Sequence, residues 1–133
     1  MKINIFWFRR DLRLDDNHGL YQALSEDLKV VPIFIFDQQI LTQLSDKKDK
    51  RVQFIYQAIE KLNKKLAKVA SGVDLYYGNP KEVFEKIIKK YDVHSVFTNE
   101  DYEPYALRRD EEIREFLQSK SIEFKTFKDQ VIF

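Results

Sequence analysis

The chain has 133 residues, of which 44% are hydrophobic, 14% aromatic and 34% charged, a composition typical of one soluble globular domain. Its 23 basic and 22 acidic side chains leave a net charge of +1, which excludes a global electrostatic field for nucleic acid or for an anionic membrane. Cysteine is absent, so disulfides, thiolate catalysis and cysteine metal sites are excluded, as is typical of a reducing compartment. The first apolar run, residues 3–8, is too short for a signal peptide or a membrane span, and a cytoplasmic location without membrane contact is expected.

Short apolar runs alternate with helical patterns along the whole chain. Strands are predicted over residues 2–8, 29–36, 73–77, 94–98 and 122–127. Helices are predicted over about 17–25 and 49–70, and two more begin at Pro80 and near Pro104. Asn79 before Pro80 is typical of a helix N-cap followed by proline at the first helical position.

The apolar spacing also predicts which side of each helix faces inward. In the first helix, Leu20 and Leu24 are expected to point into the core. In the helix after Pro104, the inward residues are expected to be Ile113, Phe116 and Leu117. Its expected outward residues are Arg108, Asp110, Glu112 and Arg114, among which Asp110 and Arg114 are spaced four apart and can pair.

This alternation predicts an α/β fold with a five-stranded, doubly wound parallel sheet of order 3-2-1-4-5. The architecture is Rossmann-like, with right-handed crossovers and helices on both faces. In such a sheet the winding reverses between the first and fourth strands. Ligands bind at the carboxyl ends of strands beside that reversal, so the candidate site can be located before any motif is considered.

Two unusual charge clusters fall at that location, "FRRDLRLDDN" at residues 8–17 and "NEDYEPY" at 99–105. With the end of the second strand and the start of the following helix, they place five polar groups on one rim: Arg10, Asp37, Arg51, Asp101 and Glu103. An alternative interpretation is that the arginines only neutralise nearby acids and fix the loops. Trp7 is expected to belong to the core.

Other site chemistries lack support in the sequence. With three glycines, at positions 19, 72 and 78, the chain contains neither a Gly-x-Gly-x-x-Gly turn nor a P-loop. His18 and His94 have no metal-ligand companions in the pattern, so surface or capping roles are expected for both. No catalytic residue and no metal ligand is therefore predicted.

The motif "WFRRDLRLDDN" at residues 7–17, together with "EDYEPYALRRD" at 100–110, resembles the amino-terminal domain of the DNA photolyase and cryptochrome family. The resemblance covers residues 1–133. It implies an antenna domain that holds a light-harvesting chromophore and passes excitation energy to FAD in a separate helical domain. That domain, which binds damaged DNA, is expected to be absent from this chain. The full-length protein would be a deoxyribodipyrimidine photo-lyase, and the chain alone is not expected to be active.

The resemblance also implies roles for individual residues. Positions matching the polar contacts of a deazaflavin or flavin antenna are Arg10, Asp37, Arg51, Asp101 and Glu103, the same five that topology brings to one rim. For a folate antenna, the positions that would carry an Asn and a Glu hold Tyr105 and Ala106, so folate is the less favoured chromophore. Arg13 and Asp15 are candidates for contacts with the FAD-binding domain.

Two alternatives remain open at this point. The same domain could come from a cryptochrome blue-light receptor, because the motifs do not separate the two outputs. The chain could also be a stand-alone α/β module that binds a nucleotide or a protein partner without light.

Overall fold

The computed structural model describes residues 2–9, 17–37, 50–67, 72–100 and 104–128, with the backbone alone at 50–55, 67 and 105. Within these ranges, strands and helices alternate along the chain. The elements are β1 (Lys2–Phe8), α1 (His18–Leu24), β2 (Lys29–Phe36), α2 (Lys50–Ala67), β3 (Asp74–Tyr77), α3 (Pro80–Lys90), β4 (Asp92–Asn99), α4 (Pro104–Ser119) and β5 (Glu123–Phe127).

The sheet has the predicted topology. Its strand order is β3-β2-β1-β4-β5, and every neighbouring pair is parallel. The bounds of β1 and β2 agree with the prediction, and those of β3, β4 and β5 differ from it by one or two residues. The α/β fold class and the order 3-2-1-4-5 are therefore confirmed.

The central strand β1 is buried on both faces of the sheet. Its residues Ile3, Ile5 and Trp7 pack on the side of α3 and α4, while Phe6 and Phe8 pack on the side of α1 and α2. A strand covered by helices on both sides needs apolar residues at successive positions. The run "INIFWF" supplies them, interrupted only by the buried Asn4.

Helix α1 is short, and this shortness corrects one prediction. Leu20 is buried as predicted, together with Gly19 and Ala23. Leu24, predicted to point inward, is 63% exposed. The helix ends at this residue, and Ala23, three positions after Leu20, takes the inward place. The apolar spacing alone allowed either residue.

The start of α3 agrees with the sequence in detail. Asn79 is the N-cap, its side chain accepts a hydrogen bond from the backbone N–H of Lys81 at 2.9 Å, and Pro80 is the first helical residue. Within the described ranges, none of the helices combines the length and the apolar composition needed to cross a bilayer.

Candidate functional site

The strand order places the winding reversal between β1 and β4. Both strands flank this point in parallel, with β2 on the other side of β1. At their carboxyl ends lie Arg9 after β1, Asp37 after β2 and Asn99 at the end of β4. These residues form the described part of the edge at which such sheets bind ligands.

The structure describes the side chain of one predicted contact residue, Asp37. It follows β2 directly, as predicted, and is 3% exposed. Arg51 lies in the first turn of α2, where the backbone alone is described. The other predicted residues lie outside the described ranges: Arg10, Asp101 and Glu103 of the contact set and Arg13 and Asp15 of the interdomain pair.

The carboxylate of Asp37 is held by an arginine that sequence reasoning did not select. Nη1 of Arg109 in α4 donates a hydrogen bond to Oδ2 of Asp37 at 3.1 Å. Both side chains are largely buried, with exposed fractions of 11% for Arg109 and 3% for Asp37. Because this carboxylate is almost fully buried, a ligand could contact Asp37 only by displacing some of the atoms that now cover it.

Asp110 extends this arrangement to the end of β1. Its Oδ1 forms an ion pair with Nη2 of Arg9 and lies 4.0 Å from Nε of Arg109. Asp110 is 7% exposed, so the prediction that it points outward toward Arg114 is wrong. Arg114 instead donates to the backbone carbonyl of Phe124 at 3.1 Å. The partner of Asp110 is 101 residues away in the chain, which a local spacing rule does not detect.

The two arginines also stack on Trp7. The guanidinium carbon of Arg9 lies 4.3 Å from the ring centroid, and that of Arg109 lies 5.1 Å from it. Trp7 itself is 2% exposed and contacts the ring of Phe84 edge-on, as expected of a core residue. We call Trp7, Arg9, Asp37, Arg109 and Asp110 the charge cluster. It connects β1, β2 and α4 at the carboxyl edge.

A second polar network fixes α1 at the end of β4. Oδ1 of Asn17 caps α1 by accepting from the backbone N–H of Leu20 at 3.1 Å, and it also accepts from Nδ2 of Asn99 at 2.7 Å. Oδ1 of Asn99 in turn accepts from the backbone N–H of Gly19 at 2.8 Å. We call Asn17, Gly19 and Asn99 the amide network. The network lies on the α1 side of the carboxyl edge and contains no charged group.

Other features do not add a site at this edge. Among the residues that the structure describes, no group of three or more His, Asp or Glu side chains could hold a metal ion. His18 is exposed, as expected, and its Nδ1 lies 3.0 Å from the carbonyl oxygen of Lys128. A shallow cleft lined by Arg114, Gln118 and Phe124 opens near the start of β5, at the opposite, amino edge of the sheet.

The protein family to which this domain belongs follows from comparison with known proteins. The family model for DNA photolyase matches residues 4–133. The chain belongs to the DNA photolyase family. The resemblance inferred from the two charged motifs is therefore confirmed, and the carboxyl edge described above is that of a photolyase-family α/β domain.

Individual photolyases are similar over almost the whole chain. A deoxyribodipyrimidine photo-lyase of Synechococcus sp. is 30% identical over 128 residues, which cover 96% of this chain and 26% of the relative. The crystal structure of an archaeal photolyase from Sulfolobus tokodaii with two FAD molecules is 34% identical, with a TM-score of 0.81 over 96% of this chain and 29% of that one. The chain thus spans less than a third of the length of these two relatives.

A cryptochrome has the same fold. The structure of a Synechocystis sp. cryptochrome matches 96% of this chain with a TM-score of 0.84 at 22% identity. This match covers 27% of the cryptochrome chain, and it shows similarity of fold.

Proposed function

We propose that the chain is the light-harvesting domain of a DNA photolyase, which holds an antenna chromophore at the carboxyl edge of its sheet. In a longer protein it would pass excitation energy to FAD for light-driven repair of pyrimidine dimers. The proposal rests on the location of Asp37, a buried carboxylate directly after β2, which is the strand next to β1 and so one strand from the winding reversal. The Sulfolobus tokodaii photolyase, described as holding two FAD molecules and as implying a novel light-harvesting cofactor, supports it by similarity.

The chemistry of the edge fits a flavin or deazaflavin. Such a ring system presents carbonyl acceptors and an N–H donor along one edge, and polar side chains must meet them. Asp37 offers a carboxylate acceptor, held in place by Arg109 at 3.1 Å. In the proposed site, Arg10 and Arg51 would donate to the ring carbonyls. Asp37, Asp101 and Glu103 would accept from the ring N–H and from the hydroxyls of the ribityl side chain.

The protein residues would bind and orient the chromophore, while the bound ring would absorb near-ultraviolet or blue light. No bond forms or breaks in this domain under the proposal. The rigid setting comes from the charge cluster on one side of the edge and the amide network on the other. Arg13 and Asp15 stay candidates for contacts with the FAD-binding domain.

The test is chromophore binding by the 133-residue chain. FAD, FMN and a deazaflavin are titrated in turn, and retained absorbance is measured after gel filtration. We expect one flavin-type ring per chain. Asp37→Asn replaces the charged carboxylate by a neutral amide. A hydrogen bond to a charged group is worth about 1.5–3 kcal/mol, so binding should weaken about ten- to a hundredfold. Glu103→Ala should weaken it as well.

A matched control comes from the opposite edge of the sheet. Asp74 begins β3 at the amino edge and accepts a hydrogen bond from the Tyr91 hydroxyl, so Asp74→Asn should leave flavin affinity unchanged. Circular dichroism confirms that each variant is folded. If no flavin-type chromophore is retained, the stand-alone module is the better interpretation. Equal weakening by Asp37→Asn and Asp74→Asn would contradict the location proposed for the site.

A further inference from the structure

Trp7 is the only tryptophan of the chain, and it lies at the carboxyl end of the central strand. Arg109 links it to the proposed site, because its guanidinium group lies over the indole and also binds Asp37. Adding a C–N bond of about 1.3 Å to these two distances places the indole centroid no more than about 10 Å from Oδ2 of Asp37. A chromophore bound to Asp37 would therefore have an indole nearby.

An indole at such a distance is a hazard for light harvesting. An excited flavin-type ring is a strong one-electron oxidant, and an indole is among the most easily oxidised side chains. One electron could leave Trp7 for the excited chromophore and then return to the indole. No bond would form or break, but the excitation would be lost as heat before it could be transferred.

The surroundings of Trp7 oppose this loss. Removing an electron leaves a positive charge on a ring that already lies 4.3 Å from the guanidinium carbon of Arg9 and 5.1 Å from that of Arg109. The repulsion is strong because all three side chains are largely buried, where water screens charge poorly. Oxidation also abolishes the attraction between the cations and the ring face.

We propose that Arg9 and Arg109 protect the excited state of the antenna chromophore by making Trp7 difficult to oxidise. This proposal rests on the function proposed above. The carboxylates of Asp37 and Asp110 partly offset the two positive charges. Removing an arginine charge and removing an aspartate charge should therefore shift the oxidation potential of Trp7 in opposite directions. Removing an arginine charge should make Trp7 easier to oxidise, and removing the charge of Asp110 should make it harder.

The first measurement uses the chain without chromophore. Film voltammetry gives the oxidation potential of Trp7, identified by the signal that Trp7→Phe abolishes. Arg9→Gln should lower this potential, Arg9→Lys should keep it near the wild-type value, and Asp110→Asn should raise it. If these variants leave the potential where it is in the wild type, or if Arg9→Gln and Asp110→Asn shift it in the same direction, the inference is wrong, whether or not flavin binds.

The second measurement is the fluorescence lifetime of a bound flavin. The lifetime should be the same in the wild type and in Trp7→Phe, several-fold shorter in Arg9→Gln, and restored in the double variant Arg9→Gln/Trp7→Phe. A wild-type lifetime several-fold shorter than that of Trp7→Phe would show that the arginines do not protect the excited state. Failure of the wild type to retain flavin would instead contradict the proposed function, and the voltammetry would still decide whether the arginines tune Trp7.

Discussion

Gly19 allows α1 to approach the end of β4, and replacing it with alanine should be costly. A Cβ atom at this position would lie 2.6 Å from Oδ1 of Asn99 and 3.0 Å from Cε1 of Phe6. Neither neighbour can move freely. Phe6 is fully buried, and Asn99 also donates to the N-cap residue Asn17 at 2.7 Å. A shift of Asn99 would therefore break the amide network.

The size of the effect follows from these contacts. Overpacking of a filled core costs about 1–3 kcal/mol, and loss of the buried hydrogen bond from the Gly19 N–H to Asn99 costs about 1–3 kcal/mol. The higher helix propensity of alanine stabilises the folded state by about 1 kcal/mol. The expected net loss in the free energy of unfolding of Gly19→Ala is about 3 kcal/mol.

Urea denaturation followed by the fluorescence of Trp7, the single tryptophan, measures this loss. With an m-value of about 2 kcal/mol/M, the midpoint should fall by about 1.5 M. Gly72→Ala is the matched control, because its Cβ would lie 3.5 Å from Oδ1 of Asn63, an ordinary contact. Its midpoint should stay the same or rise slightly. Equal midpoints for the two variants would refute the role given to the close approach.

Two further changes test the helix cap and the pH dependence. Asn79→Ala should lower the free energy of unfolding by about 1 kcal/mol in the same urea assay, and Asn79→Asp should not, because the side chain caps α3. Burial acts to raise the pKa of Glu26, but hydrogen bonds from Lys125 and Asn4 lower it below its ordinary value of 4.5. This stabilisation is present above pH 4.5 and is lost as the pH falls through the lower pKa of the folded state. Glu26→Gln should therefore be less stable than the wild type near pH 7, and the difference should shrink in acid. A difference that grows in acid would contradict this assignment.

The fold could be predicted because its determinants are local. Apolar runs of strand length alternate with helical patterns, and right-handed parallel crossovers leave few orders for five strands. The bounds of β1, Lys2–Phe8, and the cap at Asn79 could be read directly from the sequence. Apolar spacing does not decide which residue of a short helix faces inward, as the exposure of Leu24 shows.

The charge cluster could be predicted only in part, because its contacts join distant parts of the chain. Asp37 was found from its place after a strand, but Arg109 and Asp110 were missed. One local signal for Asp110 exists: in α4 it falls in the spacing of four, three and four that joins buried residues, namely Ala106, Asp110, Ile113 and Leu117. A charged residue within such a stripe indicates a buried ion pair. Its partner, Arg9, follows only from the assembled sheet.

The amide network could likewise be predicted only in part. Asn17 could be predicted as the residue that begins α1, but its second partner, Asn99, is 82 positions away. The close approach at Gly19 likewise depends on how α1 lies against β4. Such contacts follow from tertiary packing, which no window of sequence contains.

The most direct test of the proposed site is a crystal structure of the 133-residue chain grown with saturating flavin. We expect an isoalloxazine ring at the carboxyl edge, with one of its polar atoms within about 3.2 Å of a carboxylate oxygen of Asp37. A ring bound at the amino edge, in the cleft beside Arg114 and Phe124, would show that the carboxyl edge is not the chromophore site.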